Sequence, residues 1–225
     1  MSDSPVIRHL GLAPYEPTWR AMQAFTDGRD ASTPDEIWFA EHPPVFTLGM
    51  NASREHLLRP GDIPVVQIDR GGQVTYHGPG QLVIYPLIDL RRRRLGVRDL
   101  VVALENAVID YAAVLGVTAH ASRQAPGVYV KDAKLASVGL RIRRGASYHG
   151  LALNVSLDLK PFDRINVCGH RGLKVTQLAD HAGCLAGTGA VHVVAGGLMP
   201  HLLRRLNFET DYSAINTDLQ AVNSR

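Results

Sequence analysis

The sequence predicts an α+β domain whose sheet is mixed or mostly antiparallel. Two groups of short Val- and Ile-rich runs are separated by one long stretch with helical spacing, and a second helical stretch follows them. The 225 residues contain no internal repeat and no low-complexity linker, and 45% are hydrophobic, which suffices to bury one large core. We therefore expect a single domain over residues 1–210 and a polar tail at 211–225.

The first group of predicted strands lies before residue 91. Residues 36–49 read as strand, turn and strand because a Pro-Pro pair interrupts two apolar runs, and 63–69 and 82–90 read as two further strands. Between these two lies the segment 70–81, where four glycines and a proline favour close approach of the backbone to a ligand. We expect a functional loop there, without a regular element.

The helices and the second group of strands follow. Apolar residues recur at helical spacing over 97–115, and a last helix is predicted within 190–206. Residues 127–130, 134–143 and 148–157 read as a three-stranded meander with turns around Asp132 and at 144–146. The plan is thus strands, an inserted helix, more strands and packed helices.

Charge and composition restrict the function classes. The formal net charge of +3 is modest, but four arginines stand together at 91–94, and Arg141, Arg143 and Arg144 form a second group. These groups either attract an acidic partner or are solvated faces at strand ends. No nucleic-acid-binding motif is present, and no apolar run is long enough to span a membrane. The chain starts with neither a signal peptide nor a transit segment, so we expect a cytoplasmic protein.

Cys168 is a candidate nucleophile. It precedes Gly169, so a tight turn could expose its sulfur, and the Gly169 amide could stabilise an oxyanion. The thiolate is the reactive form, and it needs a base or a positive neighbour. The sequence has one other cysteine, Cys184, and two cysteines in a chain of this kind read as reduced thiols. Taken alone, a single cysteine is more often buried and inert.

Lys134 and His149 are candidates for this base or positive neighbour, alongside His77 and His170. Strict alternation along its strand puts Lys134 on one face with Ala136, Val138, Leu140 and Ile142, so it should point inward. A lysine that loses water there has its charged form disfavoured and can act as a base. The alternative, which the pattern alone favours, is that Lys134 lies beyond the strand end and extends to solvent.

A narrow apolar slot is predicted beside the next strand. Alternation places His149 with Leu151, Leu153, Val155 and Leu157, while Gly150, Ala152 and Asn154 take the other face. Together with Gly139, the small residues Gly150 and Ala152 could form the floor of the slot. A lone histidine such as His149 on an apolar face is more often a satisfied core residue than a functional one.

No cofactor or metal site is predicted. The chain lacks the HExxH and CxxC patterns of metal sites, the P-loop and the dinucleotide-binding GxGxxG motif. An acyl donor would therefore arrive already activated, as a thioester does.

Three blocks, residues 70–90, 127–159 and 162–178, together resemble the octanoyltransferases of the lipoyl pathway. The resemblance extends from about Asp35 to Leu178. It implies the α+β catalytic-domain fold of biotin and lipoate protein ligases and an enzyme that transfers an octanoyl or lipoyl group. It further implies octanoyl-acyl carrier protein as donor. The implied acceptors are the lipoyl domains of 2-oxoacid dehydrogenase complexes and the H protein of glycine cleavage.

The resemblance also implies roles for residues. Cys168 matches the acyl-thioester nucleophile and Lys134 the lysine that activates it. The acyl-binding positions matched are Arg70, Gly71, Gly72, Gln73, Val74, Thr75, Tyr76, His77, Ser137, Val138, Gly139, Gly150, Leu151 and Ala152. His77 and His149 fall in matched motifs and are assigned to shaping the site. Val167 departs from the proline that family members commonly have there, which bears on the rigidity of the turn.

Two other functions remain open at this stage. An ATP-dependent lipoate or biotin ligase would share the fold and the inward lysine but would need no cysteine. A non-catalytic acyl- or nucleic-acid-binding module would use the arginines at 91–94 instead, and its binding to nucleic acid would be salt-sensitive.

Overall fold

A computed structural model of the protein describes residues 4–122, 125–185, 187 and 189–208. The polar tail expected at 211–225 lies outside the described residues, as does the side chain of Cys184. No described helix has the length and apolar character needed to cross a bilayer.

Seven strands form the main sheet. In chain order they are β1 (Val6–Leu12), β2 (Glu36–Glu41), β6 (Gln81–Leu87), β7 (His120–Ala121), β8 (Gly127–Val130), β9 (Ala133–Arg143) and β10 (Ala146–Asn154). Their spatial order is β1-β2-β6-β10-β9-β8-β7, with β1 parallel to β2 and the remaining pairs antiparallel. Three shorter strands, β3 (Val45–Leu48), β4 (Val65–Gln67) and β5 (Val74–His77), make a second mixed sheet. The predicted α+β plan with a mixed sheet is confirmed.

In the described part of the chain, three α-helices accompany the sheets: α1 (Tyr15–Asp27), α2 (Val97–Val114) and α3 (Ala190–Arg205). The predictions of α2 and α3 are confirmed, and so are the strands and turns of the β8-β9-β10 meander. The strand predicted at 63–69 is shorter, since only β4 forms within it. Helix α1 and strand β1 were not predicted, although the buried residues of α1 recur at helical spacing. These are Tyr15, Thr18, Trp19, Met22 and Thr26.

The two faces of the main sheet are covered differently. Leu82 and Ile84 of β6 point into the core beneath α2 and α3, and we call this side the helix face. Val83 and Tyr85 alternate with them and pack with α1 and with parts of the second sheet, and we call this side the site face. Period-two alternation along β6 therefore divides the molecule into two cores.

The segment 70–81 is not a loop throughout, so that prediction was wrong. Its centre forms β5, whose four residues are buried and pair antiparallel with β3. Val74 and Tyr76 belong to the small core under the second sheet. Burial of the alternating side chains Val74 and Tyr76 favours a strand more strongly than the flanking glycines disfavour one. The glycines lie in the irregular parts of the segment on either side of β5.

Candidate active site

A cavity opens on the site face between β6, β9, β10 and the start of the 70–77 segment. Its lining residues are Tyr15, Arg70, Gly72, Gln73, Val74, Thr75, His77, Val83, Tyr85, Ser137, Val138, Gly139, His149, Gly150, Leu151, Ala152 and Cys168. Three residues that the sequence placed in the site, Gly71, Tyr76 and Lys134, are not among them. Gly71 donates its amide N-H to the Leu140 carbonyl, and the Tyr76 ring packs on Phe162.

Three lining residues had no sequence-based assignment: Tyr15, Val83 and Tyr85. Val83 and Tyr85 lie in a strand that the sequence predicted, and their alternation with Leu82 and Ile84 could have placed them on the opposite face. Tyr15 could be found only by first recognising α1, since it is the first residue of that helix.

The Cys168 sulfur is presented by a strained turn. Cys168 adopts a left-handed backbone conformation with φ 53° and ψ 22°, which is uncommon for a residue with a side chain and costs on the order of 1 kcal/mol. Two hydrogen bonds close the turn: the Gly169 amide donates to Asn166 O at 2.9 Å, and the His170 amide donates to Val167 O at 3.0 Å. Val167 is buried, so packing and hydrogen bonds fix the turn without a proline. Strain of this kind is typical of functional residues.

Lys134 contacts this sulfur directly. Its Nζ lies 3.2 Å from Cys168 Sγ and donates to the Pro126 carbonyl at 2.9 Å. Only 1% of Lys134 is exposed, so it points inward and does not extend to solvent. Gly127 makes room for it, because a Cβ there would lie 2.7 Å from Lys134 Cε.

The backbone explains how residues so far apart in sequence meet. The Lys134 amide donates to Lys174 O at 2.8 Å, and the Thr176 amide donates to Lys134 O at 2.9 Å. These bonds form a parallel bridge between Lys134 and Val175, which fixes the segment after Cys168 against the start of β9. These backbone hydrogen bonds hold the segment that follows Cys168 against β9, and the Lys134 and Cys168 side chains therefore lie in contact.

Strict alternation along β9 failed at Leu135. The register between β8 and β9 shifts there: Val128 pairs with Ala136, whereas Tyr129 pairs with Lys134. Leu135 is thus the extra residue of a bulge, and both Leu135 and Ala136 enter the core of the helix face. Lys134 is therefore not in the row of Ala136, and its Nζ lies 5.2 Å from the centre of the Tyr129 ring.

A buried arginine also lies near the thiol. The Arg70 guanidinium donates to Thr47 O, Thr47 Oγ1 and Gly71 O at 2.8 to 2.9 Å, all of them neutral acceptors. Burial lowers the pKa of Arg70, and the nearby Tyr15 and Cys168 oppose that change. Gly139 accommodates this side chain, since a Cβ there would lie 3.0 Å from Arg70 Cδ. A positive charge is thereby held close to the Cys168 side chain.

A buried carboxyl group lies behind Lys134. Glu105 of α2 accepts the Gly127 amide N-H at 2.6 Å, and burial raises its pKa despite the opposing effect of Lys134. Glu105 therefore connects α2 to the strand that borders the lysine.

His149 is on the site face, contrary to the alternation argument. It has φ 57°, which breaks the β10 pattern and turns its ring to the side of Tyr148. Its Nε2 lies 2.9 Å from Asp69 Oδ1, and burial lowers the pKa of His149 although Asp69 opposes that change. A neutral ring thus donates through Nε2, and its buried Nδ1 has no hydrogen-bond partner among the described residues.

Asp69 connects three parts of the site. It accepts hydrogen bonds from Trp19 of α1 at 2.8 Å, from Tyr148 and from His149. Burial alone would raise the pKa of Asp69, but the bonds from His149 and Tyr148 outweigh it and hold that pKa well below its ordinary value. Because Asp69 directly precedes Arg70, this network fixes where the 70–77 segment begins.

His77 stands in the inner wall of the cavity. Its Nδ1 lies 2.7 Å from Gln81 Oε1 and its Nε2 lies 3.3 Å from Thr47 Oγ1. Burial lowers the pKa of His77 well below its ordinary value, so the ring is neutral. It stacks on Tyr15 with 5.4 Å between ring centres, which suits a role in shaping the cavity.

Two sequence-based expectations about polar groups are corrected. The Gly169 amide already donates to Asn166 O within the fold, so it is not a free donor for an oxyanion. In the arginine group at 91–94, Arg92 and Arg93 are bound to the buried Asp35 at 2.5 and 3.1 Å. Half of this group therefore stabilises the fold instead of forming a free basic surface.

Among the described residues, no group of three or more His, Cys, Asp or Glu side chains is placed to hold a metal ion. Cys168 is a free thiol.

Comparison with known proteins identifies the family. The lipoyl protein ligase A/B catalytic domain matches residues 14–195. Over 201 residues the chain is 60% identical to the octanoyltransferase of Chromohalobacter salexigens, covering 89% of this chain and 91% of that protein. Over 202 residues it is 56% identical to the octanoyltransferase of Chromobacterium violaceum, covering 90% and 96% of the two chains.

Solved structures show the same fold at low identity. A lipoate-protein ligase A bound with ATP aligns with TM-score 0.72 and 16% identity, covering 97% of this chain and 94% of that chain. A bi-partite lipoate protein ligase from Thermoplasma acidophilum aligns with TM-score 0.70 and 16% identity, covering 96% and 91%. The biotin protein ligase of Aquifex aeolicus aligns with TM-score 0.53 and 11% identity, covering 91% and 69%. The ligase-type catalytic-domain fold expected from the sequence is confirmed, and by its matched domain and close relatives the chain belongs to the octanoyltransferases, a family of acyltransferase enzymes.

Proposed function

We propose that the protein takes an octanoyl or lipoyl group from acyl carrier protein onto Cys168 as a thioester and passes it to a lysine of a lipoyl domain. The acceptors are the lipoyl domains of 2-oxoacid dehydrogenase complexes and the H protein of glycine cleavage, and the reaction takes place in the cytoplasm. The observation that carries this proposal is the 3.2 Å contact between Lys134 Nζ and Cys168 Sγ at the edge of a largely apolar cavity.

The first half-reaction is a thioester exchange. Lys134 in its neutral form accepts the Cys168 proton, and the thiolate attacks the carbonyl carbon of the donor thioester. The tetrahedral intermediate collapses with release of the carrier thiolate, which takes the proton back from Lys134. Because one thioester replaces another, this step is nearly balanced in free energy.

The second half-reaction forms an amide. The amine of the acceptor lysine attacks the Cys168 thioester, its proton passes to Lys134, and the Cys168 thiolate leaves. Arg70 and Lys134 both place positive charge beside that leaving group, which stabilises it. Amide formation from a thioester is downhill, so transfer proceeds in one direction.

An ATP-dependent ligase is the rival within the same fold, and a ligase of this fold is known bound with ATP. Two observations favour acyl transfer. The curated relatives at 56–63% identity are named octanoyltransferases. In addition, a ligase that forms an acyl-adenylate has no use for a thiol held in a strained turn against a buried lysine.

The decisive experiment mixes the protein with octanoyl-acyl carrier protein and follows its intact mass and peptide map. We expect an octanoyl adduct on the peptide containing Cys168, which disappears when an apo lipoyl domain is added and becomes modified. Cys168→Ser should form no labile thioester and should lose transfer by about a thousandfold or more. If Cys168→Ser instead modified the lipoyl domain from free octanoate and ATP, the ligase function would replace this proposal.

A further inference from the structure

A straight row of small residues crosses the site face from the reactive pair. Gly127, whose missing side chain accommodates Lys134, pairs with Ser137 on β9, and Ser137 pairs with Ala152 on β10. Ala152 pairs in turn with Val83 on β6. Ser137, Ala152 and Val83 all line the cavity, so the row forms a shallow floor perpendicular to the strands.

Beyond Val83 the row continues to Ala40 on β2, which is buried in the same core as Tyr15 and Tyr85 and does not line the cavity. Tyr15 is 6% exposed, stacks on His77 and contacts the His42 ring edge-on with 4.9 Å between ring centres. His42 is bonded in turn to the hydroxyl of Tyr85, with 2.6 Å between its Nε2 and that oxygen. These rings support one another, and Tyr15, His77 and Tyr85 present the cluster to the cavity.

The length of the floor matches a particular acyl chain. Neighbouring strands lie about 4.8 Å apart, so the two steps from β9 to β6 span roughly 10 Å. An extended octanoyl group has seven carbon-carbon bonds, and at about 1.25 Å of projected length per bond it spans roughly 9 Å. A dodecanoyl group is about 5 Å longer and would meet the cluster of rings.

We propose that Tyr15 ends the acyl slot and limits the chains that Cys168 accepts to about eight carbons, with Val83 setting the depth of the floor just before that end. This inference rests on the proposed function and adds to it the specificity-determining residue, which lies on helix α1. Aromatic rings packed in a core deform little, so the limit is a steric one.

The test uses N-acetylcysteamine thioesters of hexanoate, octanoate and dodecanoate, which need no carrier protein, and measures acylation of Cys168 by intact mass. We expect Tyr15→Ala to raise the ratio of dodecanoyl to octanoyl loading by roughly tenfold or more. Val83→Phe should have the opposite effect, raising the ratio of hexanoyl to octanoyl loading by roughly tenfold. Met22→Ala is the matched control, because Met22 is fully buried in the same core on the same helix and does not line the cavity.

The proposal is overturned if folded Tyr15→Ala keeps the wild-type chain preference, or if Met22→Ala shifts the preference as much. If Tyr15→Ala does not fold, Val83→Phe provides the test. An unchanged ratio of hexanoyl to octanoyl loading in Val83→Phe would also overturn the proposal. Calorimetric binding of free octanoate and dodecanoate to Cys168→Ser separates the two proposals. If octanoate bound and dodecanoate did not, while wild-type Cys168 formed no acyl adduct, the slot proposal would stand and the thioester mechanism would be refuted.

Discussion

The helix face and the site face of the main sheet differ in what they bury. Beneath α2 and α3 the core is almost wholly aliphatic, with residues such as Leu100 and Leu104 fully or nearly fully buried. On the opposite side the sheet buries Lys134, Arg70 and three neutral histidines close to the cavity. One face therefore stabilises the fold through the hydrophobic effect, while the other uses that stability to hold polar groups out of water.

This difference indicates a division of labour. Buried polar groups contribute little net stability, but burial shifts their pKa values and thereby changes their reactivity. Aliphatic packing contributes stability and supplies no reactive group. Substitutions on the two faces should therefore be separable by measuring activity and unfolding side by side. The following predictions test that separation.

The largest effect is expected from Lys134→Ala on the site face. Without the proton acceptor at 3.2 Å, the rate of Cys168 acylation at pH 7 should fall by about 10² to 10⁴. Part of the rate should return near pH 9, because a free cysteine thiol ionises around pH ~8.5 without help. Single-turnover kinetics from pH 6 to 9.5 measure this.

Lys131→Asn is the matched control for that experiment. Lys131 is an exposed lysine in the same hairpin with φ 51°, a conformation that asparagine tolerates, and it should leave acylation unchanged. If the Lys134→Ala rate failed to recover at any pH, Lys134 would also position the substrate.

A smaller effect of another kind is expected from Leu104→Ala on the helix face. Leu104 is 1% exposed in α2, so the cavity left behind should cost about 2 to 5 kcal/mol of unfolding free energy. The folded fraction should still acylate Cys168 at the wild-type rate. Val102→Ala, at an exposed position of the same helix, should change the unfolding free energy by less than about 0.5 kcal/mol. A fall in the acylation rate of the folded Leu104→Ala protein would contradict the division between faces.

The smallest effect is an acid sensitivity that originates on the site face. Burial lowers the pKa of His42 from 6.5 to about 4. As the pH falls, the unfolded chain therefore binds a proton at this histidine before the folded chain does. The unfolding free energy should be highest above pH 6.5 and should decrease by roughly 3 kcal/mol in total as the pH falls toward 4.

Thermal unfolding at pH 7 and pH 5 checks this sign. His42→Gln should shrink the difference in Tm between the two conditions, whereas His120→Gln, at an exposed position, should leave it unchanged. If wild type were as stable at pH 5 as at pH 7, burial would not lower the pKa of His42 and the neutral state assigned to this ring would be wrong.

Regular elements with strong periodicity could be predicted from the sequence. The helix at 97–115 and the strands at 127–130 and 134–143 differ from α2, β8 and β9 by at most one residue at each end. Helix α1 was missed although its pattern was present, because its buried positions include the polar Thr18 and Thr26 along with aromatic residues.

Face assignments could not be predicted at two places, and both lie in the site. The bulge at Leu135 and the positive φ of His149 each shift a side chain to the opposite face of its strand. An argument from alternation assumes a regular strand without such irregularities. The same two irregularities place Lys134 near Cys168 and His149 beside Asp69. The assignment of side chains to strand faces from sequence therefore fails at the two distorted strand positions that help to form the site.

The sequence by itself determined the α+β plan, the family resemblance and the choice of Cys168 as the candidate nucleophile, because these depend on local pattern and residue type. Only the tertiary structure decided that Lys134 reaches Cys168 and that Tyr15 lines the cavity. The first depends on the parallel bridge between Lys134 and Val175, and the second on α1 packing against β6 and β10. Both are contacts between segments distant in the chain, which no local pattern encodes.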